Sequence, residues 1–234
     1  MKKLTFVAGL LLMVMMQGSP LHGATVRTIL TLDPSTPTVN TLDLALSAGG
    51  FPIGSSVTEL SGTINAEIEI DFETGVISSL NLTGGDLISS DWTMENVPTG
   101  NPNDPTETMT LNAVGTTATA DTTPASSAVN GGAFSGTEHL ILLTGGTVSP
   151  VNVTLAGTEI SGSGTGTLTA TKSGDLYDLF FSMGISDTET LAGGDLAITG
   201  TMVARGTVTA IPEPTAALAL SFAVAGIVLR RRRI

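Results

Sequence analysis

The chain has 234 residues, 41 % hydrophobic and only 13 % charged, with nine basic groups against twenty-one acidic ones and no cysteine. That length allows one large or two small domains and a real core. The lack of cysteine excludes a disulfide framework, a thiolate metal centre and a cysteine nucleophile, and a formal charge of −12 speaks against a nucleic-acid partner, which needs basic patches.

The chain starts Met1-Lys2-Lys3 and continues with an apolar run from Leu4 to Met16, broken only by Thr5 and Gly9; Gln17-Gly18-Ser19-Pro20 follows and Ala24 closes the segment. This is the charged region, short apolar core and small-residue cleavage zone of a secretory signal peptide. Thirteen helical residues reach roughly 20 Å, short of the ~30 Å hydrocarbon core, which disfavours a permanent span. Residues 1–24 are therefore read as a signal helix cleaved after Ala24, although His22 fits the −3 position poorly. Signal peptidase and the secretion machinery are the implied partners.

From Thr25 to Ala210 only Arg27, Lys172 and Arg205 stand against twenty acids, and Thr, Gly and Ser dominate. Period-two alternation is the main signal. Ile64 to Phe72 places an apolar residue at every second position, with one face for a core and one for water. Glu73-Thr74-Gly75 supplies a turn into Val76 to Leu82. Further strands are expected at Arg27–Leu32, Leu42–Leu46, Ser89–Met94, Thr108–Val114, Phe134–Leu143, Val148–Leu155, Gly164–Thr171, Leu176–Met183 and Leu196–Thr209. The pairs Gly49-Gly50, Gly84-Gly85, Gly145-Gly146 and Gly193-Gly194 read as turns between them. Pro98–Pro105 and Ala120–Gly132 read as long surface loops. The expected fold is all-β: an antiparallel β-sandwich over residues 25–210, or alternatively a flattened β-barrel. Two echoes, Thr58-Glu59-Leu60-Ser61-Gly62 with Thr158-Glu159-Ile160-Ser161-Gly162 and Leu82–Leu87 with Leu191–Leu196, suggest either a duplicated meander or chance in a Gly/Thr-rich chain.

The body offers little reactive chemistry. His139 is its only histidine once His22 leaves, and it falls in an apolar stretch that reads as strand. No Gly-x-Ser-x-Gly elbow occurs. Glu67, Glu69 and Asp71 lie on the solvent face of one strand, where a glycosidase pair is not expected. Asn101, Asn103, Asp104 and Glu107 offer hard oxygens of the kind calcium prefers, without an EF-hand's glycine or spacing. Trp92 and Tyr177, the rings a sugar would stack on, fall in strands and read as packing residues. No catalytic residue, metal ligand or cofactor is assigned, and no enzymatic activity is expected. The acidic excess limits edge-to-edge pairing of strands and repels anionic polysaccharide unless divalent cations bridge the two.

Residues 211–234 form a tail. Ile211-Pro212-Glu213-Pro214 precedes an apolar run, Ala216 to Leu229, interrupted by Ser221 and Gly226, and Arg230-Arg231-Arg232-Arg233 stand before Ile234. The prolines set the start of a hydrophobic helix over 215–229. Its apolar part reaches roughly 21 Å, enough to thread a bilayer barely with arginine stems snorkelling at one end. Arginines here and lysines at the other end both favour the cytosolic side, so the acidic body is pushed outward.

Pro212-Glu213-Pro214, a short apolar helix and a terminal arginine cluster together resemble the PEP-CTERM sorting signal. The resemblance covers Ile211 to Arg233 and leaves the body undescribed. It implies recognition by exosortase, a membrane-embedded transpeptidase-like protease of Gram-negative, exopolysaccharide-producing bacteria. It also implies transient anchoring at the inner membrane, removal of the tail and delivery to the cell surface or biofilm matrix. The residues carrying that sorting would be Pro212, Glu213, Pro214, Arg230, Arg231, Arg232 and Arg233; a plain C-terminal membrane anchor is the alternative. The expected function is that of an exported cell-surface or extracellular-matrix structural protein, associated with exopolysaccharide. A surface binding module for polysaccharide or calcium is the alternative.

Overall fold

Thr, Val and Ile at alternating positions favour a pleated, half-buried backbone over a helix, and most of the described residues follow that preference. The computed structural model describes residues 23–32, 40–122, 126–191 and 193–209. Thirteen strands join one antiparallel sheet: β1 Ala24–Leu32, β2 Thr41–Ala48, β3 Phe51–Ile70, β4 Ile77–Ser89, β5 Trp92–Pro98, β6 Thr108–Ala120, β7 Ser127–Ala128, β8 Ala133–Ser135, β9 Leu140–Ser149, β10 Val153–Thr154, β11 Glu159–Ser173, β12 Leu176–Leu191 and β13 Gly194–Thr209. One 3-10 turn, Gly136–Glu138, precedes β9. Residues 1–22 and 210–234 lie outside the described residues, and with them the expected signal and tail helices. Among the described residues no helix is long and apolar enough to cross a membrane. Ala24 opens β1 and pairs with Ile70.

The ladders run β3–β2–β13–β12–β11–β9–β6–β4, and β4 pairs back onto β3. Each of these eight strands thus has a neighbour on both sides somewhere along its length, which protects backbone edges that would otherwise recruit other strands. β3 serves as a shared side: its residues 51–59 pair with β2, and residues 63–70 pair with β1. Its hairpin to β4 is tied by Asp71, whose carboxylate accepts the Glu73 N–H at 2.8 Å and the Thr74 hydroxyl at 2.8 Å. These donors hold the Asp71 carboxyl below its ordinary value.

Inward positions fill one core. Ile64, Ile68, Leu80, Leu82, Leu179, Phe181, Met183 and Met202 are all essentially inaccessible to water. Each such side chain contributes about 1.5–3 kcal/mol through burial.

Several expectations need correction. Gly84-Gly85 and Gly145-Gly146 are not turns; they lie inside β4 and β9, at shifts of register. Gly85 has φ +135°, and a Cβ there would stand 2.3 Å from the Thr63 carbonyl oxygen. The bare backbone is what lets β3 and β4 cross so closely. Of the two echoes, one has both copies in strands, residues 58–62 in β3 and 159–162 in β11, and the other has residues 82–87 running through β4 and 191–196 flanking the β12–β13 turn. Phe134–Leu143 is split into β8, the 3-10 turn and β9, so His139 caps that turn rather than sitting within a strand. The stretch 120–132, read as a surface loop, contains β7 and a buried Val129.

A further tie was not visible in the sequence. On β13, β2 pairs with residues 195–200 and β1 with 204–205, leaving Val203 between them. Asn40 fills the break with its side chain, donating from Nδ2 to the Val203 carbonyl at 3.0 Å and accepting the Val203 N–H on Oδ1 at 2.7 Å. Its backbone carbonyl also accepts the Leu60 N–H at 2.6 Å, at φ +64°. Asparagine tolerates that left-handed conformation better than most residues.

Candidate functional site

The sorting residues Pro212, Glu213, Pro214 and Arg230, Arg231, Arg232 and Arg233 lie outside the described residues. Within the body, three arrangements carry functional side chains.

The first is a cavity of about 180 Å³. It lies inside the ring toward the β12–β13 turn, and all eight ring strands contribute to its wall. Apolar groups such as Leu44, Trp92, Ile160, Leu191 and Met202 make most of that wall. Several threonines, a serine and one carboxylate interrupt it, and two of these polar groups bear on its chemistry. Thr116 is only 7 % exposed and its hydroxyl hydrogen-bonds to none of the described residues. It faces inward because β6 bulges at Gly115, φ +66°, which moves the inward phase from Ala113 to Thr116. Glu189, half-buried on β12, is the second.

β12 explains the mouth. The β11–β12 ladder ends at Gly162 and Ile185, and beyond it β12 pairs only with β13 while β11 turns to β9. Asp187 bridges the parting strands by accepting the Ser161 N–H at 2.6 Å. Burial alone would raise the Asp187 carboxyl, but the Ser161 and Thr188 donors outweigh it and hold that carboxyl below its ordinary value. Glu189 accepts no such donor among the described residues; burial, then the Asp187 charge, raises its carboxyl.

The second arrangement is Ser127 and His139, whose Oγ and Nε2 are 2.8 Å apart. Ser127 lies in a polar stretch with no strand signal, so only the histidine of this pair stands out in the sequence. Both are 3 % exposed, and the Phe134 ring meets the imidazole edge-on at 5.3 Å between centroids. Burial lowers the His139 basicity against a smaller raising effect from Glu138. The pair borders no part of the cavity, so its geometry fits a polar link inside a core rather than a nucleophile awaiting substrate.

The third is the turn from Thr99 to Glu107. Asn101 Nδ2 donates to Glu107 Oε2 at 2.7 Å, and Thr106 donates its hydroxyl to Asp104 Oδ1 at 2.7 Å. Asn101 Oδ1 accepts the Asn103 N–H at 3.0 Å. These oxygens serve the turn itself, and among the described residues no three His, Asp or Glu side chains gather as a metal site would require. Elsewhere Glu67 meets Arg27 at 2.6 Å. Trp92 and Tyr177 are buried, the latter donating its hydroxyl to the Phe72 carbonyl at 2.6 Å.

Comparison with known proteins returns no match: no family model, no curated protein and no solved structure resembles the chain.

Proposed function

We propose that the chain is an exported structural protein of the cell surface or extracellular matrix of a Gram-negative bacterium, sorted by its C-terminal tail. The observation that carries this reading is the order of three unlike elements, Pro212-Glu213-Pro214, an apolar run and Arg230–Arg233, behind a signal-like N-terminus. Exosortase is the processing partner, the inner membrane a transient station, and exopolysaccharide the neighbour at the destination. The body adds support. Its ladders leave few free edges, most of its described acids stand outward, and the Ser127–His139 pair is sealed in the core. Within this reading the fold is a flattened barrel, the second of the two expected architectures, because the β3–β4 pairing joins what a sandwich would keep as two sheets.

Replacing Arg230 to Arg233 with glutamine tests the sorting step. The altered protein is expected to miss the surface while its body still folds, since the tail contributes charge and reach rather than core. Unchanged surface delivery would count against the assignment.

A further inference from the structure

The cavity asks for an occupant that the structural role does not supply. The wall is mostly leucines and isoleucines with one tryptophan, and apolar cavities of ~150 Å³ bind molecules the size of benzene. The space here, about 180 Å³, therefore suits a hydrocarbon body of roughly six to eight carbons. Its polar groups narrow the class. Thr116, more than nine-tenths buried, lines the space and can exchange a hydrogen bond with whatever fills it. Glu189 stands on the same wall, where β11 and β12 part, with Asp187 two residues away on the same inward phase of β12. Both Thr116 and Glu189 can accept hydrogen bonds, and Glu189 in its ionised form has no proton to donate. A head group rich in N–H donors satisfies Glu189; a carboxylate head would meet repulsion from Glu189, Asp187 and a body bearing twenty acids.

We propose that the cavity is a binding site for a small cationic amphiphile, with its hydrocarbon body inside the ring and its ammonium head at the Glu189 mouth. The raised Glu189 carboxyl accords with this, because a neighbouring cation would relieve what burial and Asp187 impose. The site stands apart from the sorting function and holds whether or not the tail is processed.

Trp92 is the only tryptophan of the chain and lines the cavity, so its emission reports occupancy without interference from the ends. The purified full chain is titrated with hexylammonium, hexanol and hexanoate, which share one body and differ in head. Saturable change in Trp92 emission is expected with hexylammonium, at an affinity at least tenfold above that for hexanoate, with hexanol between. Glu189→Gln, at a half-exposed position, should bring hexylammonium and hexanol within about threefold of each other. Ala118→Leu, which fills the cavity, should weaken all three at least tenfold. Hexanoate binding as tightly as hexylammonium, an undiminished ammonium preference in Glu189→Gln, or an emission that no probe moves would each overturn the proposal. If Ala118→Leu does not fold, the Glu189→Gln comparison still decides.

Discussion

Asn40 offers the sharpest test of how the ring is held. Replacing it with alanine removes both side-chain bonds to Val203 and leaves a buried N–H and a buried carbonyl on β13 without partners. Each unsatisfied group costs about 1–3 kcal/mol. Alanine must also adopt φ +64°, a left-handed conformation costing a further 1–2 kcal/mol or so relative to glycine. The expected loss is therefore about 3–8 kcal/mol, large against the ~5–15 kcal/mol that a domain usually possesses. Asn40→Gly separates the two causes: it loses the same bonds but accepts the backbone angle, and should recover about 1–2 kcal/mol of the damage. Chemical denaturation of the full chain, followed by Trp92 emission, measures both, with the denaturant slope as a check on the unfolded state. If Asn40→Ala lies within about 0.5 kcal/mol of the native protein at unchanged slope, the Asn40 clasp does not hold β1 and β2 against β13.

Two further perturbations probe the core. His139 resists protonation because it is buried; as pH falls through the ordinary histidine range near 6.5, the unfolded ring gains a proton that the folded ring refuses. Stability from this residue is thus complete above that range and declines on acidification. His139→Gln should show a flatter stability curve between about pH 7.5 and about pH 5.5, and parallel curves would refute the assignment. Gly85→Ala drives a Cβ to 2.3 Å from the Thr63 carbonyl at φ +135° and should cost more than about 3 kcal/mol. Gly49→Ala, where a Cβ meets nothing within 4 Å, should cost about 1 kcal/mol for its backbone angle alone. Thermal unfolding of the two variants side by side checks the contrast.

Alternation made most strands legible, because burial on one face writes directly into a period of two. The expected strands fell on β1, β2, the second half of β3, β4, β6 and β11 to β13, though their ends ran further than the pattern shows. The first half of β3, with Phe51-Pro52-Ile53-Gly54 and a serine pair, lacks alternation, and its place comes from pairing with β2. The glycine pairs misled for a physical reason: a dipeptide that permits a turn equally permits a bulge or a close crossing. The cavity was illegible as well. It arises where β11 and β12 separate and where the bulge at Gly115 reverses the phase of β6, and neither event marks the local sequence. Asn40 and Ser127 act through partners 163 and 12 residues away, distances at which sequence spacing carries no signal. Polar residues in short apolar-poor stretches read as loop, whatever they bind.

The account turns on where the acidic ring-shaped body resides, and intact-mass analysis of fractionated cells tests that most directly. The reading predicts a species outside the inner membrane that begins at Thr25 and lacks the arginine cluster. A cytosolic polypeptide carrying Met1 through Ile234 would contradict it.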